Sequence, residues 1–146
     1  MKTLSEISIN YKPSFKVSEL PAINSSKDAE KYFREVWSDK LQHIEETFVI
    51  LLNRANKALG FSKISTGGIT GTVVDTKIVF QTALKSNSTS IILCHNHPSG
   101  NLKPSNADNK LTKNLKEAGK IMDISLVDHL IITDESYYSF ADEGMI

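Results

Sequence analysis

The feature that most restricts the fold is a short apolar run, Ser90 to Cys94, that breaks directly into His95-Asn96-His97-Pro98-Ser99-Gly100. A run this short, bounded by turn residues, reads as a buried strand. Residues i and i+2 of an extended chain project to the same side, so His95 and His97 converge where the strand ends. Pro98 and Gly100 then turn the chain. The segment Pro104-Ser105-Asn106-Ala107-Asp108 opens a helix running from about Asn106 to Ala118. Ala107, Leu111, Leu115 and Ala118 fall on one face of it, and Gly119 suits its C-terminal end. Asp108 stands in the first turn, where side chains lean back toward the preceding loop. Strand, loop and helix therefore deliver two imidazoles and one carboxylate to the same neighbourhood.

The rest of the chain supplies a scaffold for that unit. Ile7, Ile9 and Tyr11 alternate with polar residues and predict a short strand ended by Pro13. Ser25 and Ser26 offer N-cap oxygens to a helix whose inner face is Ala29, Phe33, Val36 and Trp37. Phe48–Leu52 and Ala58–Ile64, joined by the polar turn Arg54-Ala55-Asn56-Lys57, predict a hairpin. Gly67, Gly68 and Gly71 mark a loop needing backbone freedom. Asp75 caps a helix to about Lys85 with Ile78, Val79, Thr82 and Ala83 inward. Ile124–Ile132 and Tyr137–Phe140 close the chain as strands around an Asp134-Glu135 turn. The order β-α-β-β-α-β-α-β-β predicts an α/β fold, a mixed β-sheet flanked by helices. We read residues 1–146 as a single domain, with residues 1–40 a strand-and-helix extension and 41–146 a catalytic core.

Two histidines and one carboxylate match a catalytic rather than a structural zinc site, because three protein ligands leave the fourth tetrahedral position to solvent. Zinc lowers the pKa of a bound water toward about 7. Ligand type favours Zn2+, although iron and manganese also accept a two-histidine, one-carboxylate set. Other zinc chemistries do not fit. The single cysteine, Cys94, excludes Cys-rich modules and the Pro-Cys-x-x-Cys deaminase signature. His43 is followed by Ile44, so there is no His-Glu-x-x-His. The spelling His-Asn-His at 95–97 does not denote an HNH nuclease, whose residues are dispersed over a ββα unit.

His95-x-His97-Pro98 followed by Ser105-x-x-Asp108 resembles the JAMM (MPN) metalloprotease motif. The longer string His95 to Gly100 with Pro104-Ser105 resembles its RadC branch. The similarity continues through Leu111-Thr112, Ala118-Gly119, Asp128-His129 and Tyr138-Ser139-Phe140, and back to Gly67-Gly68 and Glu46-Thr47-Phe48, roughly residues 40–146. The resemblance implies a JAMM/MPN, cytidine-deaminase-like architecture and amide hydrolysis of a peptide or protein substrate. It implies His95, His97 and Asp108 as zinc ligands, Ser105 as a hydroxyl steadying the tetrahedral intermediate, and Glu46 as general acid/base. Spacing to Phe48 selects Glu46 over its neighbour Glu45, which strand alternation points the other way.

Competing readings accompany several of these residues. Ser105-x-x-Asp108 after a proline is also a helix capping box. Asp128 and His129 either orient the site from behind the ligands or pair with backbone at a strand bend. Asn96 reads as a loop brace, Cys94 as a buried thiol and His43 as a surface residue. The RadC resemblance also raises a DNA repair or recombination role. Lys+Arg and Asp+Glu balance at 17 each, so no bulk attraction to nucleic acid follows, and no helix-hairpin-helix segment precedes residue 40. Met1–Asn10 is not a secretory signal, and no stretch approaches the roughly 20 apolar residues of a membrane span. These features point to the cytoplasm and leave a homo-oligomer open.

Overall fold

The computed structural model describes residues 3–68 and 72–146, so Gly71 of the expected glycine loop lies outside the described residues. Among them are five strands and three α-helices. The first helix is α1 (Ser26–Val36), capped by Ser25, whose hydroxyl accepts from Asp28 N. The hairpin β1 (Glu46–Leu52) and β2 (Ala58–Thr66) follows, then α2 (Thr76–Lys85), capped by Asp75. Next come β3 (Ser90–Asn96), α3 (Asn106–Met122), β4 (Ser125–Ile132) and β5 (Tyr137–Ser139). The strands form one mixed sheet in the order β2-β1-β3-β4-β5. Only β3 and β4 run parallel, as they must, because α3 is the crossover that returns the chain to the same end of the sheet.

Both faces of the sheet are covered, which explains why β1 and β3 are buried along their whole length. Phe48, Ile50, Leu52, Ile92 and Cys94 face α1 and pack on Ala29 and Phe33. Val49, Leu51, Ile91 and Leu93 face the other way, onto Val79, Phe80 and Ala83 of α2 and Leu115 of α3. α1 contributes to this core: Ala29 and Phe33 are fully buried.

Three local expectations are corrected. Ile7, Ile9 and Tyr11 form no strand: Ile7 is 89 % and Ile9 73 % exposed. Alternation makes a strand only where an edge accepts its hydrogen bonds, and here Tyr11 reaches the sheet through its side chain, its hydroxyl donating to Leu59 carbonyl at 3.4 Å. In α2 the buried positions are Val79, Phe80 and Ala83 while Ile78 is exposed, so the helix is rotated by about one residue from the expected phase. α3 runs past Gly119 to Met122, and Asp123 in the left-handed region (φ 55°) ends it. Asp tolerates that conformation through its short polar side chain.

Gly119 serves close approach instead of termination. A Cβ there would lie 2.2 Å from the carbonyl oxygen of Ile124, and Ile124 N donates to Gly119 O at 2.8 Å. The turn from α3 into β4 closes on bare helix backbone. Helix propensity alone predicts that Gly119→Ala stabilises by about 1 kcal/mol. The contact predicts the opposite sign, a loss of about 2 kcal/mol or more, measurable as a lowered urea midpoint.

Candidate metal centre

β3 ends where its backbone is still laddered: His97 N donates to Ile132 O at 3.0 Å. The alternation that sends Leu93 toward α3 sends His95 the same way, and His95 is buried. Past Pro98 the chain turns at Gly100, where φ is 84° and a side chain would be strained. The loop then folds back so that His97 Nδ1 donates to Asn101 O at 2.5 Å. A carbonyl can only accept, so the proton sits on Nδ1 and the Nε2 of His97 faces the cluster.

The carboxylate arrives by a capping box. Ser105 Oγ accepts from Asp108 N at 3.0 Å, and Asp108 Oδ2 accepts from Ser105 N at 2.8 Å. The capping reading is thus realised, and the box fixes the carboxylate while leaving Oδ1 outside it, directed at the histidines. Its oxygens lie 3.2 Å from His95 Nε2 and 3.3 Å from His97 Nε2, and the two Nε2 atoms are 3.0 Å apart. Tetrahedral ligands on bonds of about 2.0–2.1 Å sit roughly 3.3 Å from one another. The triangle of His95, His97 and Asp108 therefore has the donor set and dimensions of half-closed metal coordination.

Electrostatics agree with a site built for a cation. Burial opposes ionisation of Asp108, yet the adjoining imidazoles of His95 and His97 outweigh it and hold the carboxyl far below its usual range. Burial lowers the pKa of His97, but its bonds to Asp108 and Asn101 prevail and raise it. Beside the triad lies a cavity of about 470 Å³ whose walls include Glu45, Thr47, His95, Asp108, Lys110 and Leu111.

Glu46 does not join this cluster. Thr47 pairs with His95 across β1 and β3, so Thr47 and Glu45 face the imidazoles while Glu46 turns to the opposite face. There Glu46 is completely buried, ion-paired with Lys63 Nζ at 2.6 Å and hydrogen-bonded by Ser38. Burial works against its charge, but Lys63 and Ser38 win and its pKa is lowered. Glu45 lines the cavity, and burial raises its pKa against the pull of His95 and His97. Thr47 is a second group that motif spacing missed: its hydroxyl is buried with no hydrogen-bond partner among the described residues. The parity of β1 against β3 would have identified both residues, but it depends on a pairing register that no local pattern states.

The remaining candidates separate cleanly. Asp128 accepts from Ser139 Oγ, Ala141 N and His129 N, bracing the β4–β5 corner rather than the triad. His129 is fully buried with Nε2 2.8 Å from His95 Nδ1, and burial pushes its pKa well down. Asn96 is the expected brace, accepting from Glu46 N and donating to Leu41 O and Ile44 O. Cys94 is buried on the α1 side, with its thiol pushed up by desolvation, and it is no ligand. Ser105 is exposed at the head of α3. Its hydroxyl accepts in the box and keeps a hydrogen to donate.

Metal binding must displace the proton that the raised pKa keeps on His97 at lower pH. Affinity for Co2+, followed by its visible spectrum, is therefore expected to fall as pH drops through the raised His97 pKa and to level off above it. Asp108→Asn should lower the affinity at every pH.

The family comparisons agree with this geometry. Residues 23–145 match the model of the RadC-like JAB domain. A UPF0758 protein of Flavobacterium johnsoniae is 48 % identical over 129 residues, covering 88 % of this chain and 56 % of the relative. One from Clostridium perfringens is 38 % identical over 134 residues, covering 90 % and 58 %. Another from Chlorobium chlorochromatii is 33 % identical over 146 residues, covering 100 % and 65 %. The chain spans little more than half the length of the first of these relatives. By sequence, sheet order and the placement of its two histidines and aspartate, this chain belongs to the RadC-like JAB domain family.

Proposed function

We propose that the chain is a zinc-dependent hydrolase of amide bonds in a peptide or isopeptide substrate. The observation that carries this reading is a cluster of three candidate ligands sharing one cavity with Glu45, a carboxylate that makes no ion pair with a lysine or arginine among the described residues. Zinc, when bound, supplies Lewis acidity that activates water and polarises a carbonyl. His95, His97 and Asp108 would hold it.

The chain's own residues divide the remaining work. Glu45, desolvated at the cavity wall, is suited to take a proton from water and return it to the leaving amine, because its raised pKa brings it closer to neutrality. The Thr47 hydroxyl beside it, with no hydrogen-bond partner among the described residues, can donate to an incoming carbonyl or water. Ser105 retains a hydrogen for the developing oxyanion. Glu46 has a structural role here, tying β1 to the edge strand β2 through Lys63 and to the residue-38 loop. Balanced charge favours a peptide partner over a nucleic acid. No helix of the described residues is long and apolar enough to cross a membrane.

The test is digestion of a mixed library of peptides and lysine-linked isopeptides by the zinc-loaded chain, read by mass spectrometry. Chelator-sensitive cleavage is expected, and complete inertness toward both linkage types would contradict the proposal. Glu45→Gln should keep its zinc and lose about 10²–10⁴-fold in turnover. Glu46→Gln should cleave within a few-fold of wild type but melt earlier. The reverse assignment of losses would return the acid/base role to Glu46.

A further inference from the structure

Behind the metal ligands a hydrogen-bonded path runs through residues that coordinate nothing. Thr112 Oγ1 lies 2.9 Å from the carbonyl of Asp108, one helical turn back in α3, and 2.6 Å from His129 Nδ1. His129 Nε2 lies 2.8 Å from His95 Nδ1. Its ring is fully buried and stacks on Phe140, with centroids 4.6 Å apart and planes 5° from parallel. The path begins on one metal ligand and ends on another, joining α3 to β3 through β4.

Donor counting orders every proton on it. A hydroxyl has one hydrogen, and the Asp108 carbonyl can only accept, so Thr112 donates to that carbonyl. Toward His129 the same oxygen must then accept, which places a hydrogen on His129 Nδ1. A second proton on this ring would put an uncompensated charge in a fully buried position, so His129 Nε2 carries a lone pair. His95 must therefore donate from Nδ1, and in the neutral ring the Nε2 lone pair points at Asp108 and His97. We infer that Thr112 and His129 are positioning residues that lock His95 in the single tautomer able to bind a metal through Nε2. A histidine ligand is usually fixed this way by a carboxylate or a backbone carbonyl. Here a second, neutral imidazole does it, and the direction of its own proton is set by a threonine hydroxyl anchored on the aspartate ligand's backbone.

This inference rests on the triad as a metal site and is independent of whether the chain hydrolyses anything. It is tested on the full metal-free chain labelled with 15N-histidine, by two-bond 1H–15N correlation, which reports the tautomer of each ring. Wild type is expected to show His95 and His129 both protonated on Nδ1. Thr112→Ser keeps the hydroxyl and should keep that pattern. Thr112→Val, of nearly the same shape, should give His95 a substantial Nε2–H population and bind Zn2+ about 10–100-fold more weakly. His95 protonated on Nε2 in wild type would overturn the inference outright. So would Thr112→Val and Thr112→Ser having the same His95 tautomer and the same zinc affinity. Wild type that shows the expected tautomers but fails to bind zinc would remove the metal reading and, with it, the purpose assigned to the path. Because the wild-type spectrum alone decides the tautomer, the test survives a variant that does not fold.

Discussion

The arrangement depends on one meeting of charge and dipole: a buried carboxylate held between two imidazoles at the head of a helix. Asp108 is kept ionised by His95 and His97, and it stands in the first turn of α3, where negative charge is favoured. α3 is also the crossover that makes β3 and β4 parallel. The element that sets the topology of the sheet therefore carries the third candidate ligand, and the ends of β3 and α3 can adjust only together. Gly119 belongs to the same constraint at the far end of the helix, where its missing side chain lets β4 begin against helix backbone.

The sheet divides labour by face. On the α2–α3 side the positions nearest the edge are Glu45, Thr47 and His95, all open to one cavity. On the α1 side the neighbouring positions are Glu46, Asn96 and Cys94, all spent on structure. Asn96 gathers Leu41, Ile44 and Glu46, fixing the path of the chain just before Glu45 enters the site. A structural amide between two candidate ligands is thus how the acid/base candidate acquires a defined position. Thr47 on one face is as buried as Glu46 and Asn96 on the other, and what distinguishes it is that no described residue satisfies its hydroxyl.

What was legible in the sequence was whatever depends on short separations. His95, His97 and Asp108 lie within one strand–loop–helix unit, and strand period plus the lean of helical side chains suffices to converge them. Ser25 and Asp75 caps and the β1–β2 hairpin follow from the same local rules. Glu45 against Glu46 was not legible, because adjacent carboxylates on a strand differ only in face, and the face is set by pairing with β3 some fifty residues away. The 7–11 segment failed for a related reason, since its alternation is real but no strand edge receives it. Gly119 looks like a terminator locally, and only the return of Ile124 reveals its packing role. Thr112 carries no local sign at all: its hydroxyl matters through His129, contributed by β4.

The central claim is that two imidazoles and one carboxylate, with no sulfur, hold a single metal ion and leave room for solvent. X-ray absorption at the zinc edge of the loaded chain addresses this most directly. The account predicts four nitrogen or oxygen scatterers at about 2.0–2.1 Å, with the multiple-scattering signature of two imidazoles. A sulfur shell at about 2.3 Å, or a shell without imidazole, would contradict it.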